Sequence, residues 1–422
     1  MKFDLLPKKK IGRKFIALGT VLFPLFTCLY IVSIFSNNLI SNKLSLPVLI
    51  IAVFSFVMFV TGIIFVNTGT DKEPKRLRKG FRYALYLLGL LYTVGGFTVV
   101  GVLYIPGTGF KDWLITTAMT TMNHQYLATW FYNDYDVNIV MANNTVVESG
   151  EDTNPDLIEF STPDFDQVTY KNEFEREILT KNEGNDLYKI IDINRYGFKG
   201  KLAVVYDPSH VKIGVSRGTG STLSGSYGQY ITQIASRYNA ILAINAGGFY
   251  DPDWNSTGGV PHGIVISDGK LIANNSKATS TGGIIGFNKD NKLILARMSA
   301  QEALRQGIRD CVDFGPFLIV NGKSSYVNGN GGWGTAPRSA IGQRADGIVL
   351  LLVIDGRQAG SPGADMNDLT RVLLDYGAIN AANLDGGTST AMELNGQIIS
   401  NPRNGAFAAK TRPVPNAWIL VP

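Results

Sequence analysis

Three uninterrupted apolar runs near the N-terminus constrain this chain more than any other feature of its sequence. They span Phe15–Phe35, Leu46–Val66 and Tyr83–Ile105, and none contains a charged side chain. Each is close to the ~20 residues that a helix needs to cross about 30 Å of hydrocarbon. Because lipid offers the backbone no hydrogen-bond partner, such runs predict helices. The sequence therefore predicts a three-helix transmembrane anchor over residues 1–105, and a lipid bilayer as a partner.

The basic residues predict the orientation of this anchor. Lys and Arg cluster before the first run, over Lys8–Lys14, and between the second and third, over Lys72–Arg82, whereas the remaining loop carries only Lys43. Loops rich in Lys and Arg stay on the cytoplasmic side. We therefore expect a cytoplasmic N-terminus and an extracellular C-terminal domain after Ile105. A cleaved signal peptide is disfavoured, since the first run lacks a small-x-small cleavage pattern and two more runs follow.

Charge and cysteine content exclude two other interpretations. The net charge of +5 divides into about +10 for residues 1–105 and about −5 for the rest, so the external part is mildly acidic and does not resemble a nucleic-acid-binding domain. The two cysteines are Cys28, inside the first run, and Cys311. A disulfide within the external domain is therefore excluded, and its stability must come from an ordinary core.

Residues 106–186 separate the anchor from the C-terminal region. Ile115, Met119, Met122, Tyr126 and Trp130 recur at spacings of three and four, which predicts an amphipathic helix either at the membrane surface or packed on the folded domain. The following residues are acidic and polar, and they predict a stalk with one short helix near 171–179.

From residue 187 to 422, short β-rich runs alternate with glycine turns and a few helices, which predicts an α+β domain with a glycine-rich mixed β-sheet and flanking helices. Helices are expected at Gln229–Tyr238, Asn367–Tyr376 and Ala300–Gln306. Hairpin turns are expected at three Asn-Gly or Asp-Gly pairs. The predicted strands are Tyr188–Ile193, Leu202–Tyr206, Lys212–Val215, Ala240–Ile244, Gly263–Ile266, Gly283–Phe287, Lys292–Ala296, Phe317–Val320, Gly347–Ile354, Ala378–Asn383 and Ala391–Leu394.

Four glycine-rich segments place polar side chains beside predicted strand ends, where rigid scaffolds display reactive groups. They are Ala243–Tyr250 (AINAGGFY), Gly258–Gly263 (GGVPHG), Ala336–Gly342 (APRSAIG) with Asp355–Arg357 (DGR) after it, and Asn383–Thr390 (NLDGGTST). Each alone has a structural explanation, because Gly-Gly and Asp-Gly pairs are ordinary turn dipeptides. Together they predict a site of little side-chain bulk at the rim of a sheet.

The ordered motifs resemble the phosphodiester glycosidase domain family over about Leu187–Pro422, more than half of the chain. The resemblance rests on Asn245 with Gly247–Phe249, on Pro337–Gly342, on Asp355–Arg357 and on Leu384–Thr390. It implies hydrolysis of a glycosidic bond whose leaving group is a phosphate ester. A phosphorylated glycan of the cell envelope or of an exopolysaccharide is the expected substrate. The sequence departs from the family at Thr388, where a third glycine is frequent.

The implied chemistry assigns roles to individual residues. Asp385 is the first choice for the catalytic carboxylate and Asp355 the second, and His262 is either a proton donor or a ligand of phosphate or metal. Arg338 and Arg357 would clamp the phosphate, because a guanidinium can donate two bonds to it. The remaining predicted substrate-binding residues are Asn245, Gly247, Gly248, Gly386, Gly387, Ser389 and Thr390.

Cofactors and rival functions follow from the same residues. Only three histidines occur, which excludes a metal site built from several of them. The sequence requires no cofactor, although an oxygen-ligated divalent cation stays open. One rival function is a non-catalytic module that binds phosphoglycan during export or assembly. Another is a phosphodiesterase that cleaves the P–O bond, which is less favoured because a two-metal signature is missing from the sequence. Protein partners are not predicted.

Overall fold

The computed structural model describes residues 8–35, 42–68, 79–121, 124–161, 165–166, 169–180, 185–222, 224–251, 256–275, 282–403 and 411–422. The chain divides into two compact units. One lies within Met1–Ala142, and the other covers Asn143–Pro422 together with Thr120–Asn123.

The N-terminal unit is helical. Its described helices are α1 (Lys8–Phe35), α2 (Asn42–Thr68), α3 (Lys79–Tyr104), α4 (Phe110–Met119), α5 (Tyr126–Thr129) and α6 (Asp134–Asn143). The three predicted apolar runs lie in α1, α2 and α3. Among the described residues, Lys10–Phe35 alone is long and apolar enough to cross a membrane, with a mean hydropathy of 2.3, while Val48–Ile64 and Thr93–Tyr104 are shorter apolar stretches. A helix of this kind near the N-terminus also fits a signal sequence, so the three-span anchor stays a prediction.

The predicted amphipathic helix through Ile115 and Trp130 is not continuous. Helix α4 ends at Met119 and α5 begins at Tyr126, and the short helices pack into a small core of their own with the end of α3. The Tyr132 hydroxyl, which is buried in this core, donates a hydrogen bond to the Leu103 carbonyl (2.7 Å). The prediction of one helix through Ile115 and Trp130 is therefore wrong, because α4 and α5 are separate helices that pack into the same core. Met122, which the pattern also used, lies outside the described residues.

The C-terminal unit is built mainly from strands. Those described are β1 (Thr145–Val147), β2 (Tyr188–Arg195), β3 (Phe198–Val205), β4 (Val211–Val215), β5 (Leu242–Asn245), β6 (Gly263–Ser267), β7 (Lys270–Asn275), β8 (Gly283–Asn288), β9 (Leu293–Ala296), β10 (Ile308–Phe314), β11 (Phe317–Val320), β12 (Lys323–Ser324), β13 (Tyr326–Asn328), β14 (Arg338–Arg344), β15 (Val349–Ile354), β16 (Ala378–Asn383), β17 (Met392–Leu394), β18 (Gln397–Ile398) and β19 (Asn416–Leu420). Four helices accompany them: α7 (Glu173–Leu179), α8 (Ile231–Arg237), α9 (Ala300–Arg305) and α10 (Met366–Asp375).

The strands form a seven-stranded sheet in the order β12-β11-β16-β14-β15-β3-β2, two five-stranded sheets in the orders β18-β17-β5-β19-β4 and β7-β6-β10-β8-β9, and a β1-β13 pair. Every strand pair among the described residues is antiparallel; two examples are β14-β15 and β14-β16. The α+β class is thus confirmed. The predicted mixed β-sheet is wrong, because the strands form several sheets and the described pairs are antiparallel both in hairpins and between strands distant in sequence.

Burial on both faces explains the sequence of the central strand β15. Its residues VLLLVI are all buried, and Val349, Leu351 and Val353 pack into the core that the seven-stranded sheet shares with the five-stranded sheets. The alternate residues Leu350 and Leu352, followed by Ile354, face a second core that α7 and α10 cover. Successive strand residues point to opposite faces, so a strand between two cores reads as a continuous apolar run.

The predicted acidic stalk is part of the folded unit from Asn143 onward. Strand β1 pairs with β13, Thr153 donates its backbone N–H to the Leu295 carbonyl (3.1 Å), and Ile158 is fully buried. The Glu148 carboxylate pairs with Arg297 and accepts the Phe317 backbone N–H (3.1 Å). For the described part of this segment the interpretation as a spacer is wrong, because its backbone and the Glu148 side chain bond to the folded domain. The one short helix predicted near residues 171–179 is confirmed as α7.

Candidate active site

Three neighbouring strands bring the predicted site residues to one edge of the seven-stranded sheet. Strand β14 lies between β15 and β16 and runs antiparallel to both, with Arg338 opposite Ile354. The start of β14 therefore meets the ends of β15 and β16. As a result Arg338, Asp355 and Asp385 come to the same edge of the sheet, from three separate motifs.

The loop after β16 presents Asp385 directly before two glycines, Gly386 and Gly387. Leu384 before it is fully buried, and the Asp385 backbone N–H donates to the Ala246 carbonyl (3.0 Å), which ties the loop to the end of β5. A Cβ on Gly386 would lie 3.0 Å from the Pro337 carbonyl oxygen. Gly387 has a φ of +62° and a Cβ there would lie 3.2 Å from the Arg357 guanidinium. Both glycines are needed for this close approach.

Burial sets the protonation of the Asp385 carboxyl. Although the residue keeps some exposure at the surface, desolvation raises its pKa from 3.8 to about 6. Hydrogen bonds from the Ser389 hydroxyl and the Gly386 backbone N–H oppose this rise, as does the charge of Arg412, whereas the charge of Asp251 adds to it. A carboxyl with a pKa near neutrality is typical of acid–base sites.

Asp251 and Arg412 form an ion pair beside Asp385 that the sequence analysis missed. The Arg412 guanidinium donates to the buried Asp251 carboxylate (2.5 Å), lies over the Phe249 ring at 4.5 Å, and contacts the Thr388 hydroxyl at 3.5 Å. Thr388, where the family frequently has glycine, thus faces the cation. Asp251 stands one residue beyond the AINAGGFY segment and could have been found by extending it, whereas no sequence signal marked Arg412.

Arg357 offers a guanidinium that no described residue holds by a hydrogen bond or an ion pair. Its backbone has a φ of +58°, stabilised by the bond from its N–H to the Pro362 carbonyl (3.0 Å). Burial lowers the pKa of Arg357, and its Nη2 atom is the nearest heavy atom to a Cβ built on Gly387. A partly buried, unpaired arginine beside a glycine turn is suited to bind an oxyanion.

Arg338, the second predicted phosphate ligand, is largely used by the protein itself. It is 4% exposed, and it donates to the carbonyls of Ala364 (3.2 Å), Gly334 (2.8 Å) and Trp333. Burial lowers its pKa to about 10. Its Nη1 would lie 3.4 Å from a Cβ on Gly386 and makes no hydrogen bond to the described residues. Arg338 therefore holds two loops together through these hydrogen bonds, and its Nη1 remains available beside Gly386, the residue after Asp385.

Asp355 is placed at the same edge but with a different set of contacts. Its carboxylate accepts the Asn401 backbone N–H (2.8 Å), and its carbonyl accepts the Ser361 hydroxyl (2.6 Å). Burial raises the pKa of Asp355, with Lys201 and Arg403 opposing. Asp355 does not contribute to the pKa shift of Asp385, so the carboxylate that is electrostatically coupled to Asp385 is Asp251.

Asn245 is a buried connector. Its side chain is fully buried, its amide donates to the Asp385 carbonyl (2.6 Å), and its oxygen accepts from the Ser339 hydroxyl (2.7 Å) and the Ala391 backbone N–H (3.2 Å). These bonds use the side chain within the protein. Asn245 therefore holds the loop that carries Asp385, and its contact with substrate stays a prediction.

Ser389 and Thr390 are both buried behind the Asp385 loop. The Ser389 hydroxyl bonds to the Asp385 carboxylate, so it stabilises the ionised form. The Thr390 hydroxyl is buried with no hydrogen-bond partner among the described residues. Ser389 thus tunes the carboxylate, and neither residue is placed at the surface where a sugar would approach.

Gly247, Gly248 and His262 form a neighbouring group. Gly247 donates its N–H to the Asn416 side chain (2.8 Å), and a Cβ on Gly248 would lie 2.5 Å from the Phe314 ring. His262 donates its backbone N–H to the Gly248 carbonyl (2.9 Å), and its ring bonds to the Phe249 backbone. Burial lowers the His262 pKa, which favours neutral imidazole at neutral pH. These contacts fit packing and loop closure.

Among the residues that the structure describes, no cluster of three or more His, Cys, Asp or Glu side chains could hold a metal ion. The charged groups at this edge and beside it are three carboxylates, Asp385, Asp355 and Asp251, and three arginines, Arg338, Arg357 and Arg412. This set can activate a nucleophile and bind an anion.

Comparison with known proteins agrees with the motifs. Residues 238–421 match the family model of phosphodiester glycosidase. The chain is 31% identical over 183 residues to the SPbeta prophage-derived uncharacterized protein YomE of Bacillus subtilis, which covers 42% of this chain and 27% of that relative. It is 28% identical over 156 residues to N-acetylglucosamine-1-phosphodiester alpha-N-acetylglucosaminidase of Bos taurus, covering 32% of this chain and 29% of the relative.

The chain thus spans less than a third of the length of these curated relatives. Among solved structures, the catalytic domain of zebrafish N-acetylglucosamine-1-phosphodiester alpha-N-acetylglucosaminidase, auto-inhibited by its pro-peptide, is 23% identical and covers 57% of this chain and 86% of its own, with a TM-score of 0.48. The family match agrees with the resemblance read from the motifs. Residues 238–421, somewhat less than half of the chain, are thus similar to a phosphodiester glycosidase domain.

Proposed function

We propose that this domain hydrolyses the glycosidic bond of sugar-1-phosphate diesters. The observation that carries the proposal is the pairing of Asp385, whose pKa is near neutrality, with the unpaired Arg357 guanidinium across the bare Gly386-Gly387 turn. A carboxylate and a cation on two sides of a turn without side chains leave room for a substrate that has an electrophilic carbon next to a phosphate.

The reaction needs a nucleophile and a stabilised leaving group. Asp385 either activates water or attacks the anomeric carbon itself; the bond from that carbon to the phosphate oxygen breaks, and its electron pair leaves with the phosphomonoester. In the second case water then hydrolyses the glycosyl ester of Asp385, which releases the sugar and restores the carboxylate. A phosphate ester departs as a stable anion and needs little protonation, so cations do more for it than a general acid. Arg357 supplies that charge, with Arg412 and Asp251 setting the field around Asp385.

The activity should depend on ionised Asp385. Because its pKa is raised to about 6, kcat/KM is expected to rise as pH increases through about 6 and then level off. The sign for stability is opposite: folding favours protonated Asp385, so this contribution to the free energy of unfolding is full below about pH 4 and is lost as pH rises through about 6. The pH dependence of kcat/KM measures the effect on activity. Urea unfolding of wild type and of Asp385→Asn across the same pH range measures the effect on stability. Activity that falls across this range would instead assign Asp385 as a general acid.

We also propose that the domain lies outside the cell on the three-span anchor and acts on envelope or exported polymers. The proposal rests on the apolar runs and on the distribution of Lys and Arg. In intact cells, a membrane-impermeant maleimide should label an Asp192→Cys variant, since Asp192 is exposed on β2, and should spare Lys72→Cys until the cells are permeabilised. Labelling of Lys72→Cys in intact cells, or protection of Asp192→Cys, would contradict this topology.

A further inference from the structure

A shallow, open cavity of about 410 Å³ lies on the exposed face of helix α8, outside the site described above. Its six lining residues are cationic or neutral and hydrogen-bonding: Arg217, Gln229, Thr232, Gln233, Ser236 and Arg237. None of the lining residues is a carboxylate. The cavity therefore carries a net positive charge and selects against cations.

Both lining glutamines are oriented by bonds to the backbone. The Gln229 side-chain oxygen accepts the Arg217 backbone N–H (2.8 Å), and the Gln233 oxygen accepts the Tyr230 backbone N–H (3.0 Å). Since a backbone N–H can only donate, these bonds assign the oxygen of each amide and leave the NH₂ groups as the free ends. The cavity is thus lined by amide and guanidinium donors, with hydroxyls that can donate as well.

Arg237 carries a donor that the protein does not satisfy. Its guanidinium lies over the Tyr238 ring at 4.9 Å, and its Nη2 atom is buried with no hydrogen-bond partner among the described residues. The Tyr238 hydroxyl accepts the Val215 backbone N–H (3.1 Å), which holds the ring in place. Because Nη2 is closed to a water-sized molecule, an anion in the cavity would bind the other nitrogens of this guanidinium. Among the described residues, neither the Arg237 nor the Arg217 guanidinium is held by a hydrogen bond or an ion pair, so both can bind an anion.

The cavity is joined to the candidate active site by a short stretch of backbone. Gln229 and Val414 exchange two backbone hydrogen bonds (3.1 and 2.9 Å), and Arg412, which pairs with Asp251, stands two residues before Val414. The Cα atoms of Gln229 and Arg412 therefore lie at most roughly 12 Å apart, because one antiparallel bridge and two residues of extended chain separate them.

We propose that this cavity is a subsite that binds a second phosphate of a phosphodiester-linked glycan whose scissile bond lies at Asp385. The inference rests on the proposed function and deepens it, because it assigns a polymer, and not a single sugar phosphate diester, as the substrate class. Donors that line one cavity, with two unpaired guanidinium groups among them, are the chemistry that recognises phosphate.

The test compares two substrates on the full-length protein. One is the methyl diester of N-acetylglucosamine-1-phosphate, and the other is a linear oligomer of the same sugar joined through 1-phosphate diesters. The double variant Arg217→Gln, Arg237→Gln should raise KM for the oligomer by roughly 10- to 100-fold, as expected for the loss of one or two charge-assisted bonds. Turnover of the methyl diester should be unchanged, which also shows that the variant is folded. Arg305→Gln, on the exposed face of α9, is the matched control.

Other outcomes separate this proposal from the proposed function. An unchanged KM for the oligomer, or an equal loss on both substrates, would overturn the subsite. If wild type turns over neither substrate, the glycosidase proposal fails, and calorimetric binding of the same oligomer then decides the subsite alone. Binding that the double variant weakens at least tenfold, and that Arg237→Lys partly restores, supports the subsite; binding equal to wild type overturns it.

Discussion

Replacing Asp385 with asparagine is expected to lower kcat by roughly 10³- to 10⁵-fold while leaving the dissociation constant for substrate nearly unchanged, as for other catalytic groups that act on the reacting atom. Asparagine keeps the shape and can still accept the Gly386 backbone N–H, but it cannot attack carbon or take a proton from water. Steady-state rates on a sugar-1-phosphate diester, with calorimetric binding of the same compound, measure the two quantities.

The matched control is Asp192→Asn, which removes an exposed carboxylate on β2 that only pairs with Lys201 at the surface. It should leave kcat within about twofold, because exposed ion pairs contribute little. If Asp385→Asn retained most of the wild-type kcat, the assignment of Asp385 would be wrong. Loss of activity together with loss of binding would indicate a misfolded loop, and the urea midpoint would show it.

Arg357→Gln is expected to lower kcat/KM by about 10²- to 10³-fold, because the variant loses the cation that faces the departing phosphate. Since charge builds up on the leaving group in the transition state, most of the loss should appear in kcat and less in KM. Arg357→Lys should recover part of the activity, as it keeps the charge but not the planar pair of donors.

Arg305→Gln, at an exposed arginine of α9, serves as the control for the loss of one positive charge. Its rate should match that of wild type. The structural role of Arg357 is limited to its backbone, which has a φ of +58°, so the side-chain variants should unfold at nearly the wild-type urea concentration. A decrease confined to KM would mean that Arg357 binds the ground state and the transition state equally.

Local signals in the sequence were strong enough to predict most strands and turns. The hairpin turns at Asn321-Gly322, Asn395-Gly396 and Asp268-Gly269 have positive φ at both residues, as these residue pairs predict. The apolar run of β15 and the helix α10 were located to within a few residues. Such elements are predictable because one face or both faces must be buried wherever the rest of the chain goes.

The sequence analysis missed elements whose polar side chains find their hydrogen-bond partners only in the folded protein. Strand β14, RSAIGQR, reads as a polar loop, yet Arg338, Ser339 and Gln343 on it are buried. Gln343 accepts the Leu293 backbone N–H and donates to the carbonyls of Asn291 and Gly347. Two of these three partners lie about fifty residues away, outside any local sequence window. The acidic segment from residue 143 was misread for the same reason, since its partners lie more than a hundred residues away.

The sequence predicted which segments form the candidate site, but it did not predict what each side chain does there. The glycine motifs led to Asp385, Arg357 and Arg338, which the structure brings to one edge of the sheet. Which of these side chains the protein uses internally depends on contacts between distant segments, as for Asn245. Arg412 carries no local signal because its importance arises only from its ion pair with Asp251. The catalytic and binding roles themselves stay proposals.

Hydrolysis of a sugar-1-phosphate diester in water enriched in ¹⁸O tests the central claim most directly. If the protein cleaves the glycosidic bond, mass spectrometry will find the label in the released sugar and none in the phosphomonoester, and Asp385→Asn will release neither product. Label in the phosphomonoester would show cleavage of the P–O bond and contradict the account. Binding of the diester by wild type without release of either product would contradict it as well, and would favour a glycan-holding module.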